Sequence, residues 1–473
     1  MANTYIRPKD KIEKYIDTLA KKYGSCTMSA GLRSRYYSID NKVLRISDHI
    51  GAHNDAHMSI IVPSFRSTDQ QYIVHAHNCG QISIVPYDKA KELVRSFFYL
   101  SATFFDKPIP DENMKEFEHK IRKDIPFGFS INDKSKIEWK RITKAVNAAI
   151  DRLCVLYPQF ANYAIRFSNE MDLEKWCKRV RIDYGDFLKA IGSVGGGNHF
   201  LEYDTSEDLG KYCVCVHCGS RKLGLAVFNY WNKIAKSMTV SPEEMKKLEA
   251  SVKAKNTDKT KMKEEIKAAR EEYLSHRIPG YLSGEHLMGY LVDVLICQVY
   301  AQLNHEVINE QIAEIYRKMS GGGKPVDFIT TTHNYIDYDF KALTGTPNMM
   351  IRKGSIRAYV GERVIIPFNM RDGISICEGK SNPDWNYTAP HGAGRIMSRS
   401  KAFENLDVDE FKKQMADAGI YTTTADAKTL DEAPDAYKPM DEIVRLIEPT
   451  VDIKFFMKPK MNIKAQEDKV KFF

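Results

Sequence analysis

Residues 389–399 read Ala389-Pro390-His391-Gly392-Ala393-Gly394-Arg395-Ile396-Met397-Ser398-Arg399. An imidazole followed at once by Gly-Ala-Gly stands beside a backbone with almost no side-chain bulk, so a phosphate or nucleotide can come close to the peptide N–H groups. If a helix starts here, Arg395 and Arg399 stand four apart on one face and offer forked donors to phosphate oxygens. The plainer reading is a glycine turn leading into a helix, with His391 as its cap. These eleven residues leave both readings open, and the choice depends on which other segments would assemble with them.

Three segments share the same character. Ala190 to Tyr203 places Gly195-Gly196-Gly197 before Asn198-His199 and then Phe200-Leu201-Glu202. No Lys-Ser or Lys-Thr follows, so this is not a Walker A loop. His199 and Glu202, three apart, suit one metal contact and one nucleotide contact. Tyr212 to Arg221 alternates like a strand, with Cys213, Cys215 and His217 on one face and Val214, Val216 and Cys218 on the other. The two cysteines read as small apolar filler, and His217, at the strand end beside Gly219-Ser220-Arg221, as the better ligand candidate. Thr330-Thr331-Thr332-His333-Asn334-Tyr335 gives a third strand ending in histidine. Four histidines spread over nearly 200 residues, each at a strand end or beside glycine, form the pattern by which enzymes gather a site from distant segments.

The rest of the chain frames this site. Its 473 residues carry 43% hydrophobic and 11% aromatic side chains, enough for a packed enzyme, and no Pro, Gly or Ser concentration marks a linker. No apolar run of about 20 residues is apparent, so a membrane span is not expected. Nine scattered cysteines suit a reducing cytoplasm, and the start, Met1 to Lys9, lacks the apolar segment of a signal peptide. A net charge of +8 permits a polyanionic partner without requiring one. Helical spacing predicts helices over Lys9–Tyr23, Asp111–Lys123, Trp139–Leu156 and a buried Glu285–Tyr316. Ser241-Pro242-Glu243-Glu244 opens a charged helical hairpin over 241–275, whose interleaved acids and bases read as a solvated face. Between Tyr36 and Val85 the pattern shortens to strands and holds His49, His53, His57, His75 and His77 before Cys79-Gly80.

The set GGGNHFLEY, VHCGSR, HNY, RKGSIRAYVGERVIIP and PHGAGRIMSRSKA resembles the RtcB-type RNA-splicing ligases in order and spacing. The resemblance runs from about Ile109 to Ala465 and closes on Asn462-Ile463-Lys464-Ala465, like the family's near-terminal lysine. It implies an α+β fold with a mixed sheet core flanked by helices, a divergent sheet-rich region over 1–108, and a catalytic body over 109–473. It further implies a GTP- and manganese-dependent ligase that joins RNA 2′,3′-cyclic phosphate or 3′-phosphate ends to 5′-hydroxyl ends. His391 matches the histidine that is guanylylated. His199, His217, His333 and Cys79 match metal ligands. Asn198, Glu202, Asn334 and Lys464, with Gly392, Ala393, Gly394 and Arg395 around His391, match nucleotide contacts. An accessory activator protein is a further expectation of the family, whereas a membrane is not.

The departures lie toward the N-terminus. The family's Asp-x-x-Cys-Gly has Ala76 in place of the aspartate, which leaves His75 or His77 to stand in for it. Asp55-Ala56-His57 occurs without the family's glycines. The glycine-rich phosphate loop after Ile366-Pro367 is replaced by Phe368-Asn369-Met370-Arg371. Two other readings remain beside the ligase: a ligase-like protein that holds RNA ends or GTP without sealing, and a metal-dependent phosphohydrolase.

Overall fold

The computed structural model describes residues 97–466, apart from 240–241, 256–258, 276–281, 283, 345–348, 353–354 and 384–386. Before residue 97 it describes the strands Cys26–Met28, Ser34–Ile39, Lys42–His49, His57–Val62, Tyr72–His77 and Gln81–Pro86. The helix expected over Lys9–Tyr23 and the residues Asp55, Cys79 and Gly80 lie outside the described residues.

The body is built on a seven-stranded antiparallel sheet. Its strands run in the order Pro325–His333, Phe98–Phe105, Lys211–Gly219, Phe200–Ser206, Val451–Lys464, Ile374–Gly379, Arg363–Pro367. Phe98–Phe105 lies inside this sheet and is buried along nearly all its length, so the sheet begins ahead of the boundary expected at 108. The apolar run Phe97-Phe98-Tyr99-Leu100 carries the reason, since a strand covered on both faces has no polar alternation.

The sheet curls. Arg363 on one edge strand forms an ion pair with Asp327 on the opposite edge strand. Leu100, Ala102, Phe104, Cys213, Cys215, Ile329, Ile365, Ile374, Ile376 and Met457 pack together on one face. On the other face Val214, Val216 and Cys218 meet Phe117 and Ile121 of the helix Met114–Asp124 and Ile308, Ile312 and Ile315 of the long helix Gly284–Met319. The alternation read in Tyr212–Arg221 is therefore the partition between two cores, and the Cys213 and Cys215 thiols are apolar filler, pushed well above their ordinary range by burial.

Trp139–Leu156 is a helix over the predicted span and buries Ile142, Val146, Ile150 and Leu153, one stripe at helical spacing. It packs in a second cluster with the first half of Gly284–Met319. Over Glu285–Met319 this helix is long and apolar enough to cross a membrane, yet 78% of its most apolar window is buried inside the protein. Asp293 on it receives the indole N–H groups of Trp176 and Trp231 at 2.9 and 2.7 Å and the Arg179 guanidinium at 2.6 Å, tying three helices to one carboxylate. The hairpin appears as Pro242–Lys255 and Lys259–Ser275, joined by an Arg270–Glu249 ion pair.

A second sheet has the order Cys26–Met28, Ser34–Ile39, Lys42–His49, His57–Val62, Met349–Arg352, Tyr335–Asp337. The N-terminal strands thus join the body through His57–Val62, which pairs with Met349–Arg352.

Candidate active site

The four histidines converge because their strands do. His333 ends one strand and pairs with Phe98, His217 pairs with Leu100 and Phe200, and His199 directly precedes Phe200. Phe98 is the common neighbour: its ring centroid lies 5.2 Å from that of His199, 5.6 Å from His217 and 5.4 Å from His333. The rings of His333 and His391 are 4.7 Å apart. No feature of the local sequence singled out Phe98, whose place follows from strand order.

Ring orientation is fixed from the backbone. His199 Nδ1 lies 2.7 Å from the Val194 carbonyl and His217 Nδ1 lies 3.1 Å from the Asn198 carbonyl. A carbonyl only accepts, so each Nδ1 carries the proton and each Nε2 keeps its lone pair. His217 Nε2 faces His333 Nε2 at 3.1 Å. Burial lowers the His217 imidazole to about 4 against the pull of the Asn198 carbonyl, and burial with the neighbouring His217 and Arg221 lowers His199 well below its ordinary value. Both rings are neutral near pH 7, the state in which imidazole binds metal.

Whether these residues suit a metal ion can be tested on the donors themselves. Metal-bound histidines characteristically donate their second ring N–H to a carbonyl or carboxylate, as His199 and His217 do. Two nitrogens at metal distances of about 2.0–2.1 Å would stand roughly 3 Å apart, as the His217 and His333 Nε2 atoms stand. The donors fit a nitrogen-ligated ion. Among the described residues no group of three His, Cys, Asp or Glu is gathered closely enough to hold an ion by itself.

Beside the histidines opens a cleft lined by Asn198, Glu202, His217, His333, His391 to Arg395 and Lys464, which unites most of the residues singled out from sequence. Asn334 is buried beside His333 with a left-handed φ of 56°, turning the chain toward Tyr335–Asp337, and is not among the residues lining the cleft. His199 is also absent from the lining and stands behind it against Phe98 and His217.

The arginines are placed otherwise than a shared helix would place them. The helix begins at Arg399, with Ser398 Oγ accepting from Lys401 N, whereas Arg395 bridges to Tyr437 in extended backbone after Gly394 at φ 71°. They meet instead at Glu432, whose Oε1 lies 3.4 Å from Arg395 Nη1 and 2.8 Å from Arg399 Nη1. Lys464 Nζ reaches Glu432 Oε2 at 2.9 Å, and Tyr437 donates its hydroxyl to the same oxygen at 2.7 Å. Burial opposes ionisation of Glu432, but Lys464, Arg399 and Arg395 outweigh it and hold the carboxyl well below the usual range. No local signal in the sequence marks Glu432 or Tyr437, whose partners Arg395, Arg399 and Lys464 come from distant segments.

The segment after Pro367 is closed on itself. Phe368 N donates to Gly373 O at 2.8 Å and Gly373 N to Asn369 O at 3.1 Å. Asn369 Oδ1 takes the N–H groups of Arg371 and Asp372 at 2.9 and 3.0 Å, and Arg371 pairs with Asp372. These amides are engaged within the turn, while Phe368, Asn369 and Met370 line the cleft.

One buried residue orders the approach to His199. Asn304 on the long helix accepts from Gly192 N at 2.7 Å and Ser193 N at 3.2 Å, and donates to Ser193 O at 3.1 Å and Gly219 O at 3.0 Å. It thereby ties the glycine loop before His199 to the end of the His217 strand.

Comparison with known proteins finds relatives over most of the chain. The pattern of the family tRNA-splicing ligase RtcB matches residues 99–465, starting within the strand Phe98–Phe105. The RNA-splicing ligase RtcB of Escherichia coli K12 is 24% identical over 362 residues, 75% of this chain and 77% of its own length. The tRNA-splicing ligase RtcB of Pyrococcus horikoshii is 24% identical over 422 residues, covering 79% of this chain and 43% of its own, and that of Aeropyrum pernix is 27% identical over 292 residues, covering 54% and 55%. With an α+β body and a family match over most of its length, the chain belongs to the tRNA-splicing ligase RtcB family.

Proposed function

We propose that this protein is an RNA ligase that uses GTP and manganese to join RNA 2′,3′-cyclic phosphate or 3′-phosphate ends to 5′-hydroxyl ends. The observation that carries the reading is His391, placed between a nearly side-chain-free Gly-Ala-Gly turn and the His217–His333 pair. A neutral imidazole there is a competent nucleophile toward phosphorus. A nitrogen of His391 forms a bond to the α-phosphorus of GTP as the bond to the β-phosphate oxygen breaks and pyrophosphate leaves. A cyclic end is first opened by water to a 3′-phosphate. An oxygen of the RNA 3′-phosphate takes the GMP from His391, and the 5′-hydroxyl then attacks that 3′-phosphorus, releasing GMP.

The chain's residues divide these tasks. His199, His217 and His333 would hold manganese, as one ion or two, with Cys79 as a further proposed ligand, and the metal when bound would neutralise charge on the reacting phosphate. Among the residues lining the cleft, Arg395, Arg399 and Lys464 outnumber Glu432 and Glu202, an excess of positive charge suited to phosphate. Glu202, Asn198 and Lys464 would meet the nucleoside. The turn at 368–373 has the amides of Phe368, Arg371, Asp372 and Gly373 engaged within itself, and phosphate binding is assigned to these side chains and to the Gly392–Gly394 backbone. Free cysteines throughout the described residues favour a reducing cytoplasm as its workplace.

The test is incubation with GTP labelled at the α-phosphate in the presence of manganese. An acid-labile protein–GMP adduct is expected, absent from His391→Ala. Label retained in that variant would assign the nucleophile elsewhere.

A further inference from the structure

Two strand pairings meet at one guanidinium. Met349–Arg352 pairs with Tyr335–Asp337, which follows His333, and Ser355–Arg357 pairs with Thr388–Pro390, which leads directly into His391. The second pairing is a two-stranded sheet of its own, and three residues against three hold little by their backbone alone. A side chain adds the missing tie. Arg352 is fully buried, and its Nε and Nη2 both donate to Asp337 Oδ2, at 3.2 and 3.1 Å. Its Nη1 donates to Thr388 Oγ1. The Tyr359 hydroxyl accepts from Arg352 Nη2 at 3.1 Å and donates to Asp337 Oδ2 at 3.2 Å. Asp337, Tyr359 and Thr388 are buried as well, so the ion pair is desolvated on both sides and depends on these hydrogen bonds for compensation.

We propose that Arg352 is a positioning residue for the transfer of GMP to His391: by holding Asp337 and Thr388 on one planar guanidinium, it fixes the place of His391 relative to His333. The proposal rests on the reading of His391 as the nucleophile. Asp337 lies four residues after His333 and Thr388 three before His391, and the two imidazole rings are 4.7 Å apart. The chain around His391 has other anchors, Ala358 N donating to Tyr387 O and Ala393 N to Pro367 O, both at 2.9 Å. Those bonds tie it to residues 358 and 367, whereas Arg352 ties it to the segment that follows His333. Attack on phosphorus requires the nucleophile and the groups that neutralise charge to be aligned, and a misplacement of about 1 Å costs on the order of 10²-fold.

Thr388→Val keeps the shape and removes the acceptor, and Thr388→Ser keeps the hydroxyl. In single turnovers with labelled GTP and manganese, Thr388→Val should slow adduct formation about tenfold or more, with half-saturating GTP and manganese content within about twofold of wild type. Thr388→Ser should stay within about threefold of the wild-type rate. A Val variant at the wild-type rate, Val and Ser variants equally slow, or a loss confined to GTP saturation or manganese content would overturn the assignment. Arg352→Lys keeps a charge beside Asp337 but lacks the fork, so adding Thr388→Val to it should cost no more than about twofold further. Losses that multiply would also overturn the assignment, and if Arg352→Lys does not fold, the Thr388 pair decides alone. A wild type that forms no adduct would remove the GTP reading, and the tie is then read without metal or nucleotide. The backbone amides of residues 388–393 should exchange hydrogen about tenfold faster in Thr388→Val than in wild type or Thr388→Ser. Unchanged exchange would overturn the proposal.

Discussion

The Nε2 atoms of His217 and His333 face each other at 3.1 Å, although their strands are separated in the sheet by Phe98–Phe105. A pair this close cannot carry protons on both facing nitrogens. With His217 Nδ1 already donating to Asn198 O, any added proton goes to the face that would hold metal. Burial lowers His217 to about 4 and His305 to about 3, and burial with the neighbouring His217 and Arg221 lowers His199 well below its ordinary value. In the unfolded chain these rings titrate near the ordinary 6.5, so as the pH falls the unfolded chain takes up protons first. The stability they contribute is full above about 6.5 and is lost as the pH falls toward 4. Glu202, raised to about 7, and Asp204, Asp293 and Glu362, also raised by burial, act in the opposite sense, while Glu432, Asp327 and Asp372, lowered beside their cationic partners, act with the rings. Melting temperatures in chelator should fall steeply over this window, and a flat profile between pH 6.5 and 4 would show that the rings are not held neutral.

Gly195 and Gly197 separate two kinds of glycine. Both have positive φ, 97° and 71°. A Cβ at Gly195 would collide with Arg221 Nη1 and His199 Nδ1, whereas at Gly197 it meets nothing within 4 Å. Gly197→Ala should cost about 1–2 kcal/mol from backbone strain alone and leave metal affinity intact. Gly195→Ala adds displacement of His199 from the Val194 carbonyl, so manganese content should drop well below that of the Gly197 variant. Equal metal content in the two proteins would mean that the His199 orientation is unimportant to the ion.

Much of this site could be read from sequence because its chemistry is carried by residue types at strand ends. His199, His217, His333 and His391 each announced a turn or a strand terminus, and strand pairing then brought them together. Three features were not legible. Phe98 is an ordinary apolar residue whose role arises from lying between the His333 and His217 strands. Arg395 and Arg399 suggested one helical face, but Gly394 and the Tyr437 bridge keep Arg395 extended, so their meeting at Glu432 is a tertiary effect. Asp204 resembled any polar residue at the end of a strand, and its burial became apparent only with Val451–Lys464 beside it.

Metal preference follows from the donors. Imidazole nitrogens favour manganese, zinc or cobalt over magnesium, which prefers oxygen ligands and keeps its waters. Chelation should stop guanylylation, and manganese but not magnesium should restore it. If Cys79 belongs to the same ion, Cys79→Ala should lower both metal content and sealing. Full activity in magnesium alone would contradict the nitrogen donor set.

Asn304 gives the sharpest test of how the long helix supports the site, because it makes four hydrogen bonds to backbone groups, and a fifth to Cys218 Sγ, with no exposure to solvent. Asn304→Leu fills the space but leaves the N–H groups of Gly192 and Ser193 and the carbonyls of Ser193 and Gly219 without that partner. Each buried group so stranded costs about 1–3 kcal/mol, less whatever entering water recovers. A loss of several kcal/mol is therefore expected in denaturant unfolding. Asn304→Asp keeps the acceptor side and loses all the donations, so it should fall between wild type and Leu. The same bonds join the loop before His199 to the end of the His217 strand, and loosening them separates two proposed ligands. Manganese affinity of the Asp variant, measured where it remains folded, should accordingly fall about tenfold or more, the scale of loss for groups that orient metal ligands. Stability reduced with metal affinity unchanged would make Asn304 a fold residue and no more.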